Sequence, residues 1–195
     1  MIKRVGIGGY CTSGFAVRRN GDEKVLTAGH CFQGDTSSAL HSGSAGLFGY
    51  LTSESWYFHN SMADARLVST ADSTTYNWIY TTSNQAQPVS GDHVAAQTAV
   101  GTFVCLYAYV LQPGNCGTVS LREVSSSRSD CGCTLRLQFY ATYAREGGNS
   151  GGPISSQTGA TAVGIHSGAT SDGTAIFSHI QYVQDQSLWQ LMLSP

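Results

Sequence analysis

Short apolar or alternating runs recur along the chain, at residues 14–17, 24–27, 47–51, 65–68 and 78–80, with turn residues between them. After a polar stretch at 81–92 (TTSNQAQPVSGD), the pattern resumes at 93–96, 102–109, 117–121, 134–140, 153–155, 162–166 and 174–177. Runs of this length suit strands, and many strands at short spacing predict an all-β sandwich or barrel. The polar stretch is the candidate hinge between two halves, 1–82 and 83–195. Near the end the period changes. Ile180, Val183, Leu188, Leu191 and Met192 fall mostly at helical spacing, which predicts a C-terminal amphipathic helix packed on the second half, with Trp189 as a core anchor.

Composition sharpens this picture. The 195 residues are 41% hydrophobic, enough to bury one or two cores, while 11% are charged and Gly numbers 23. That profile fits strands and turns and not helices. A net charge of -2 offers no basic surplus for nucleic acid or an anionic membrane. No apolar run approaches the roughly 18–20 residues of a membrane span. Met1-Ile2-Lys3-Arg4 has no apolar run behind it, so a signal peptide is expected to be absent. The chain then belongs to the cytosol or is a mature form with its export segment removed. Six cysteines in three sequence-local pairs favour the second reading, because an even count in a loop-rich chain reads as a disulfide framework made in an oxidising compartment. Their spacing does not suit zinc, no cofactor is expected, and fifteen pairings are open.

Three segments carry chemistry. Leu26-Thr27-Ala28-Gly29-His30-Cys31 ends a strand in small residues and a histidine; Met62-Ala63-Asp64-Ala65 leads a lone carboxylate into an apolar strand; Gly147-Gly148-Asn149-Ser150-Gly151-Gly152 flanks a serine with glycines. A serine hydroxyl needs a neighbouring base, histidine titrates in the right range, and a buried carboxylate fixes its tautomer. The glycines let the backbone turn tightly, so that the amides of Gly148 and Ser150 can converge on an oxyanion. The serine motif also fits a nucleophile elbow, but that fold needs βαβ alternation and a histidine after the serine. Asp72 and Asp92 could replace Asp64, yet neither opens an apolar strand so clearly. His41, His59, His93 and His179 read as surface or capping residues.

In its motifs and their order the chain resembles the bacterial branch of the chymotrypsin-like serine proteases, the streptogrisin and alpha-lytic protease group. Cys11-Thr12-Ser13-Gly14-Phe15-Ala16-Val17 followed by TAGHC resembles that group's first disulfide loop and catalytic histidine. Cys105 with Cys116-Gly117-Thr118-Val119 resembles its second-domain disulfide. The resemblance implies two six-stranded antiparallel β-barrels: residues 1–82 carrying His30 and Asp64, and 83–195 carrying Ser150, the pocket for the P1 side chain and the terminal helix. It implies a monomeric, secreted endopeptidase acting on protein or peptide substrates, and it is compatible with a removed pro-segment. Bridges Cys11–Cys31 and Cys105–Cys116 follow from it. Cys131 and Cys133, which have no counterpart in the group, form the third bridge or else remain thiols or pair between molecules.

Departures from the group bear on specificity. Asn149 stands where most members have Asp, as in staphylococcal-type glutamyl endopeptidases, and is expected to hold the oxyanion loop by neutral hydrogen bonds. Ala144 replaces a cysteine of the streptogrisins. Gly164-Ile165-His166-Ser167 resembles the stretch with which those glutamyl endopeptidases and picornaviral cysteine proteases meet an acidic or amide P1 side chain. The resemblance implies that Arg145 and His166 face a glutamate, that Ser167, Gly168 and Ala169 bind the substrate backbone, and that activity on Glu fades as His166 loses its proton. The alternatives are a small or apolar P1 pocket, or a non-catalytic protein-binding module on the same fold.

Overall fold

The computed structural model describes residues 2–4, 9–35, 38–41, 46–71, 75, 77–81, 85–108, 110, 115–156 and 160–194. The first half contributes β1 (Ile2–Arg4), β2 (Tyr10–Cys11), β3 (Ala16–Arg19), β4 (Asp22–Thr27), β5 (Ala39–His41), β6 (Leu47–Ser55) and β7 (Arg66–Thr70). A small hairpin of β8 (Trp78–Tyr80) and β9 (Ala86–Pro88) lies across the expected hinge. The second half contributes β10 (Gly91–Asp92), β11 (Phe103–Leu106), β12 (Asn115–Arg128), β13 (Cys133–Ala141), β14 (Pro153–Ser155), β15 (Thr161–Ala169) and β16 (Ala175–His179). Helix α1 (Ile180–Ser187) and β17 (Gln190–Leu191) follow.

In the second half β15, β14, β11, β12, β13 and β16 pair in that order, and β16 pairs back onto β15, so six strands close a barrel. Its interior is filled by Val104, Leu106, Phe139, Ile154, Val163 and Phe177. In the first half the pairing runs β3-β4-β7-β6-β5-β1-β2, with β17 added at the β3 edge. Burial of adjacent Leu67 and Val68 on β7 reflects packing on both faces of that strand.

Three differences from the sequence reading have local causes. The expected strand at 93–96 is a 3-10 turn, Ala95–Gln97, because the Gln97 side chain accepts the Val94 amide at 3.1 Å and closes a turn locally. The terminal helix stops at Ser187: Leu188 is left-handed (φ 61°), and Leu191 lies in β17, paired with Val17. β12 runs on to Arg128, far beyond the expected 117–121, as one arm of a hairpin; its added residues alternate between exposed and half-buried or buried and are mostly polar.

Disulfides join Cys11 to Cys31, Cys105 to Cys116 and Cys131 to Cys133. The second ties directly opposed residues of β11 and β12, and the third closes on itself at the tip of the β12–β13 hairpin.

The two halves share one apolar cluster, in which Phe15, Val17, Leu26 and Leu67 meet Ile165, Ile180, Val183 and Trp189. Trp189 is 1% exposed; the Arg19 guanidinium lies 4.5 Å from its ring centroid, and its indole N–H donates to Glu54 Oε1 at 3.2 Å. Trp189→Ala should therefore lower unfolding stability by about 3–5 kcal/mol, seen as a lower urea midpoint with an unchanged slope. A loss below about 1 kcal/mol, the size of an ordinary substitution, would mean that other contacts join the halves.

Candidate active site

His30 follows β4 in a turn that the Cys11–Cys31 bridge anchors, and Asp64 stands just before β7, the neighbour of β4. Strand pairing thus brings histidine and carboxylate together. His30 Nδ1 donates to Asp64 Oδ2 at 2.6 Å, and the His30 backbone amide donates to Oδ1 at 2.9 Å. A carboxylate can only accept, so Nδ1 keeps the proton and Nε2 is left as an acceptor. Ser150 Oγ lies 2.9 Å from that Nε2. The hydroxyl therefore points its proton at a base.

Ser150 reaches this position from the other half. Its carbonyl accepts the Thr12 amide at 2.7 Å, and Gly151 donates to the His166 carbonyl at 2.8 Å, which pins the turn between the barrels. Gly151 has φ +84°, and a Cβ there would overlap the Thr12 carbonyl and Thr27 Oγ1. Gly148 has φ +92° and lies under the Tyr10 ring. Both positions exclude side chains. Among the described residues the amides of Gly148 and Ser150 donate to no protein acceptor, which leaves two donors beside the serine for an incoming oxygen.

Asp64 is fully buried. Burial alone would raise its pKa, but the His30 charge and hydrogen bond, the Arg128 charge and the Ser167 hydroxyl pull it below the ordinary carboxylate value. Ser167 Oγ donates to Oδ2 at 2.5 Å, and the Asp64 amide donates to Ser178 Oγ at 2.8 Å. Burial alone would lower the His30 pKa. The adjacent carboxylate outweighs it, and the imidazole titrates above the ordinary histidine value of 6.5. Asp92 is exposed and accepts from Gln184, and Asp72 lies outside the described residues.

The residues expected to meet the substrate lie on β15 and in the loop before the serine. Ser167, Gly168 and Ala169 end β15, with Gly168 and Ala169 partly exposed. His166 is 2% exposed and its Nδ1 lies 3.0 Å from the Tyr143 hydroxyl. Burial first, then the charges of His30, Arg145 and Arg128, push it down to about 3 despite Asp64. It is neutral wherever His30 can act as a base. The burial of His166 therefore speaks against the expectation that activity on Glu fades as His166 loses its proton. Arg145 is half-buried, with Nη2 3.4 Å from where a Cβ on Gly173 would stand. Among the described side chains it is the one cation with neither an ion pair nor a hydrogen bond.

Other residues fall elsewhere. His179 caps α1 through Nδ1 and bonds Thr98 through Nε2 at 2.9 Å, fully buried and not at the surface. His59 is exposed and accepts the Thr134 amide, His93 is partly buried, and the His41 side chain lies outside the described residues. Sequence reasoning missed the Ser167 hydroxyl, Ser178, Tyr57 and Arg128. Arg128 gave no signal because it lies in a polar run, Ser125-Ser126-Ser127-Arg128-Ser129-Asp130, that reads as a solvated loop.

Asn149 differs from expectation as well. It is fully buried, and neither its Oδ1 nor its Nδ2 has a partner among the described residues. The loop is held by main chain instead, with Asn149 N on the Glu146 carbonyl at 3.2 Å and Gly152 N on the Asn149 carbonyl at 2.9 Å. Asn149→Asp would bury a carboxyl with nothing to pair it, raising its folded pKa. The penalty should be small while the group stays protonated and grow as pH rises, to about 3 kcal/mol or more at pH 7. Thermal unfolding across pH tests this; a variant at least as stable at neutral pH would reveal a cation within reach.

The trypsin family profile matches residues 3–189. No curated protein sequence matches the chain. Among solved structures it is similar to Cellulomonas bogoriensis chymotrypsin (24% identity, TM-score 0.76, covering 99% of this chain and 96% of that one). It is also similar to a glutamic acid specific serine protease described as using a histidine triad in substrate binding (22%, 0.78, 98% and 97%). Thermobifida fusca protease A matches at 27% identity and a TM-score of 0.76, over 96% and 95%. With the family matched over almost the whole length and the two-half β fold shared, the chain belongs to the trypsin family and is a chymotrypsin-like serine endopeptidase.

Proposed function

We propose that the chain is a secreted endopeptidase in which Ser150 is the nucleophile, His30 the general base and acid, and Asp64 the group that orients His30. The observation that carries this reading is the unbroken hydrogen-bond chain from Asp64 through His30 to Ser150. His30 takes the serine proton as Oγ attacks the scissile carbonyl, and Asp64 stabilises the imidazolium that forms. The Gly148 and Ser150 amides hold the oxyanion. His30 then protonates the leaving amine, and water repeats the steps in reverse order on the acyl-enzyme. The cleft lies between the halves proposed at 1–82 and 83–195. Three disulfides support an oxidising destination, and no helix among the described residues is long and apolar enough to cross a membrane.

Ser150→Ala and His30→Ala should each abolish turnover of a denatured protein substrate and labelling by a fluorophosphonate. The double variant should be about as inactive as either alone, because the triad acts as a unit. Independent, multiplying losses would assign the chemistry elsewhere. In the wild type kcat/KM should rise with pH through a limb above 6.5, since the His30 pKa is raised and its neutral form is the base. A folded wild-type protein that never labels would be a binding module.

For the P1 side chain, the unpaired Arg145 guanidinium and the neutral His166 ring support glutamate, with Asp next. The Tyr143 hydroxyl is buried and held well above its ordinary pKa, so it stays protonated and can donate to His166 Nδ1. That leaves Nε2–H as the donor to substrate, and Arg145 supplies the charge. A P1-varied peptide library should favour Glu. Arg145→Ala should lower kcat/KM for Glu by about ten- to a hundredfold, and the preference should not track a His166 titration. Preferred cleavage after Phe, Leu or Ala would overturn the assignment.

A further inference from the structure

The β12–β13 hairpin reaches past its own barrel and sets its tip against the active centre. Arg128, the last residue of β12, keeps 11% of its side chain exposed. Nη1 lies 3.0 Å from Ser167 Oγ and Nη2 lies 3.3 Å from the Ser167 carbonyl. Both nitrogens stand 3.2 Å from where a Cβ on Gly168 would be, so the guanidinium rests directly on the strand edge. A neighbour on the hairpin tip and a residue from the other half hold it there. Asp130 lies 3.7 Å from Nε and accepts the Tyr57 hydroxyl at 2.5 Å, and the Tyr57 ring lies under the guanidinium at 5.7 Å. The Cys131–Cys133 bridge closes the tip, where Cys133 packs with Tyr57 and Leu135.

The direction of these bonds matters. A guanidinium can only donate, and the Ser167 hydroxyl has one proton. With Arg128 donating to Oγ, that proton must go to Asp64 Oδ2, the oxygen that also binds His30 Nδ1. Arg128 thereby orients the hydroxyl toward the carboxylate and sets a cation behind it. Its second bond holds the carbonyl that begins the edge proposed to receive the substrate backbone.

We propose that Arg128 is a positioning residue of the active centre, acting through Ser167 on the Asp64–His30 pair and on the start of the substrate-binding edge, and that the disulfide-closed hairpin tip exists to place it. The proposal rests on the triad reading above. It gives the Cys131–Cys133 bridge a purpose that loop closure over two residues does not.

Electrostatics makes the role measurable. The charged and titratable groups facing His30 are Asp64 ahead of β7, Arg128 and Asp130 on the hairpin, Tyr57 in the loop before Asp64, and His166 on β15. Among them Arg128 disfavours the imidazolium, while Asp130 favours it. Removing the cation should therefore raise the acid limb of kcat/KM, and removing the Asp130 charge should lower it.

The experiment measures kcat/KM against pH, with kcat and KM separated, for the wild type, Arg128→Met, Arg128→Lys and Asp130→Asn. Arg128→Met should lose roughly ten- to a hundredfold in kcat/KM, and its limb should move up. Arg128→Lys keeps the charge but not the fork, so its limb should stay near the wild type while part of the rate is lost. Asp130→Asn should move the limb down. Rates within about twofold of the wild type with unmoved limbs would overturn the proposal, as would equal losses in the Met and Lys variants without any shift. Should Arg128→Met fail to fold, Arg128→Lys decides alone, and a kcat/KM within about twofold of the wild type there overturns the proposal. Ser150→Ala is the control: turnover surviving there would remove the triad reading and this proposal with it, whereas a dead Ser150→Ala beside unaffected Arg128 variants would overturn this proposal alone.

Discussion

The Asp64 carboxylate is a full charge taken out of water, and the rest of the site follows from that. Burying an ionised carboxylate without partners costs several kcal/mol, even after relaxation. Here both oxygens are occupied, one by the His30 amide and the other by His30 Nδ1 and Ser167 Oγ. These partners come from two places, the turn after β4 and the end of β15, so the charge is stable only when both are in place beside the start of β7. The fold and the chemistry therefore share one requirement. Any rearrangement separating the two halves would leave the carboxylate short of partners and His30 without its serine.

The shell around the carboxylate extends this logic outward. Its own amide is received by Ser178 Oγ, which donates to Gln138 Oε1 at 3.0 Å, and Gln138 Nε2 donates to the Met62 carbonyl. A path thus runs from β16 and β13 back to the loop carrying Asp64. On the other side stand Ser167, Arg128, Asp130 and Tyr57. Polar networks buried this deeply fix one arrangement, because each unmade bond is expensive in a low-dielectric interior. That rigidity suits a site whose proton must move along a line of atoms held about 3 Å apart.

What could be read from the sequence divides along the same physical boundary. His30, Asp64 and Ser150 stand in short motifs whose residue types have local reasons: small residues before the histidine, glycines around the serine, a carboxylate opening an apolar strand. Most buried strands were equally legible, since burial writes itself as apolar runs at 65–68, 134–140 and 162–166. The illegible parts are those whose partners lie far away in sequence. β17 is two residues long and exists because β3 offers an edge. The outer part of β12 is mostly polar because exposed positions alternate with half-buried or buried ones along it, so no apolar run marks it as a strand. The Asn149 side chain is expected from its motif to hold the loop by hydrogen bonds, yet neither of its polar atoms has a partner among the described residues, which no local pattern reports.

Charge balance separates the catalytic centre from the pocket beside it. Around the triad the signs alternate: Asp64 is met by His30 and Arg128, and Arg128 by Asp130. Arg145 stands outside this pattern, half-buried and facing the loop that carries Gly173, with His166 depressed partly by its charge. On the proposed reading, a carboxylate completes this arrangement. Its arrival would supply the counter-charge that Arg145 lacks and accept a hydrogen bond from the ring, without requiring His166 to take up a proton. On the same reading, an apolar P1 side chain would leave the guanidinium without that partner, at a cost that an acidic one avoids.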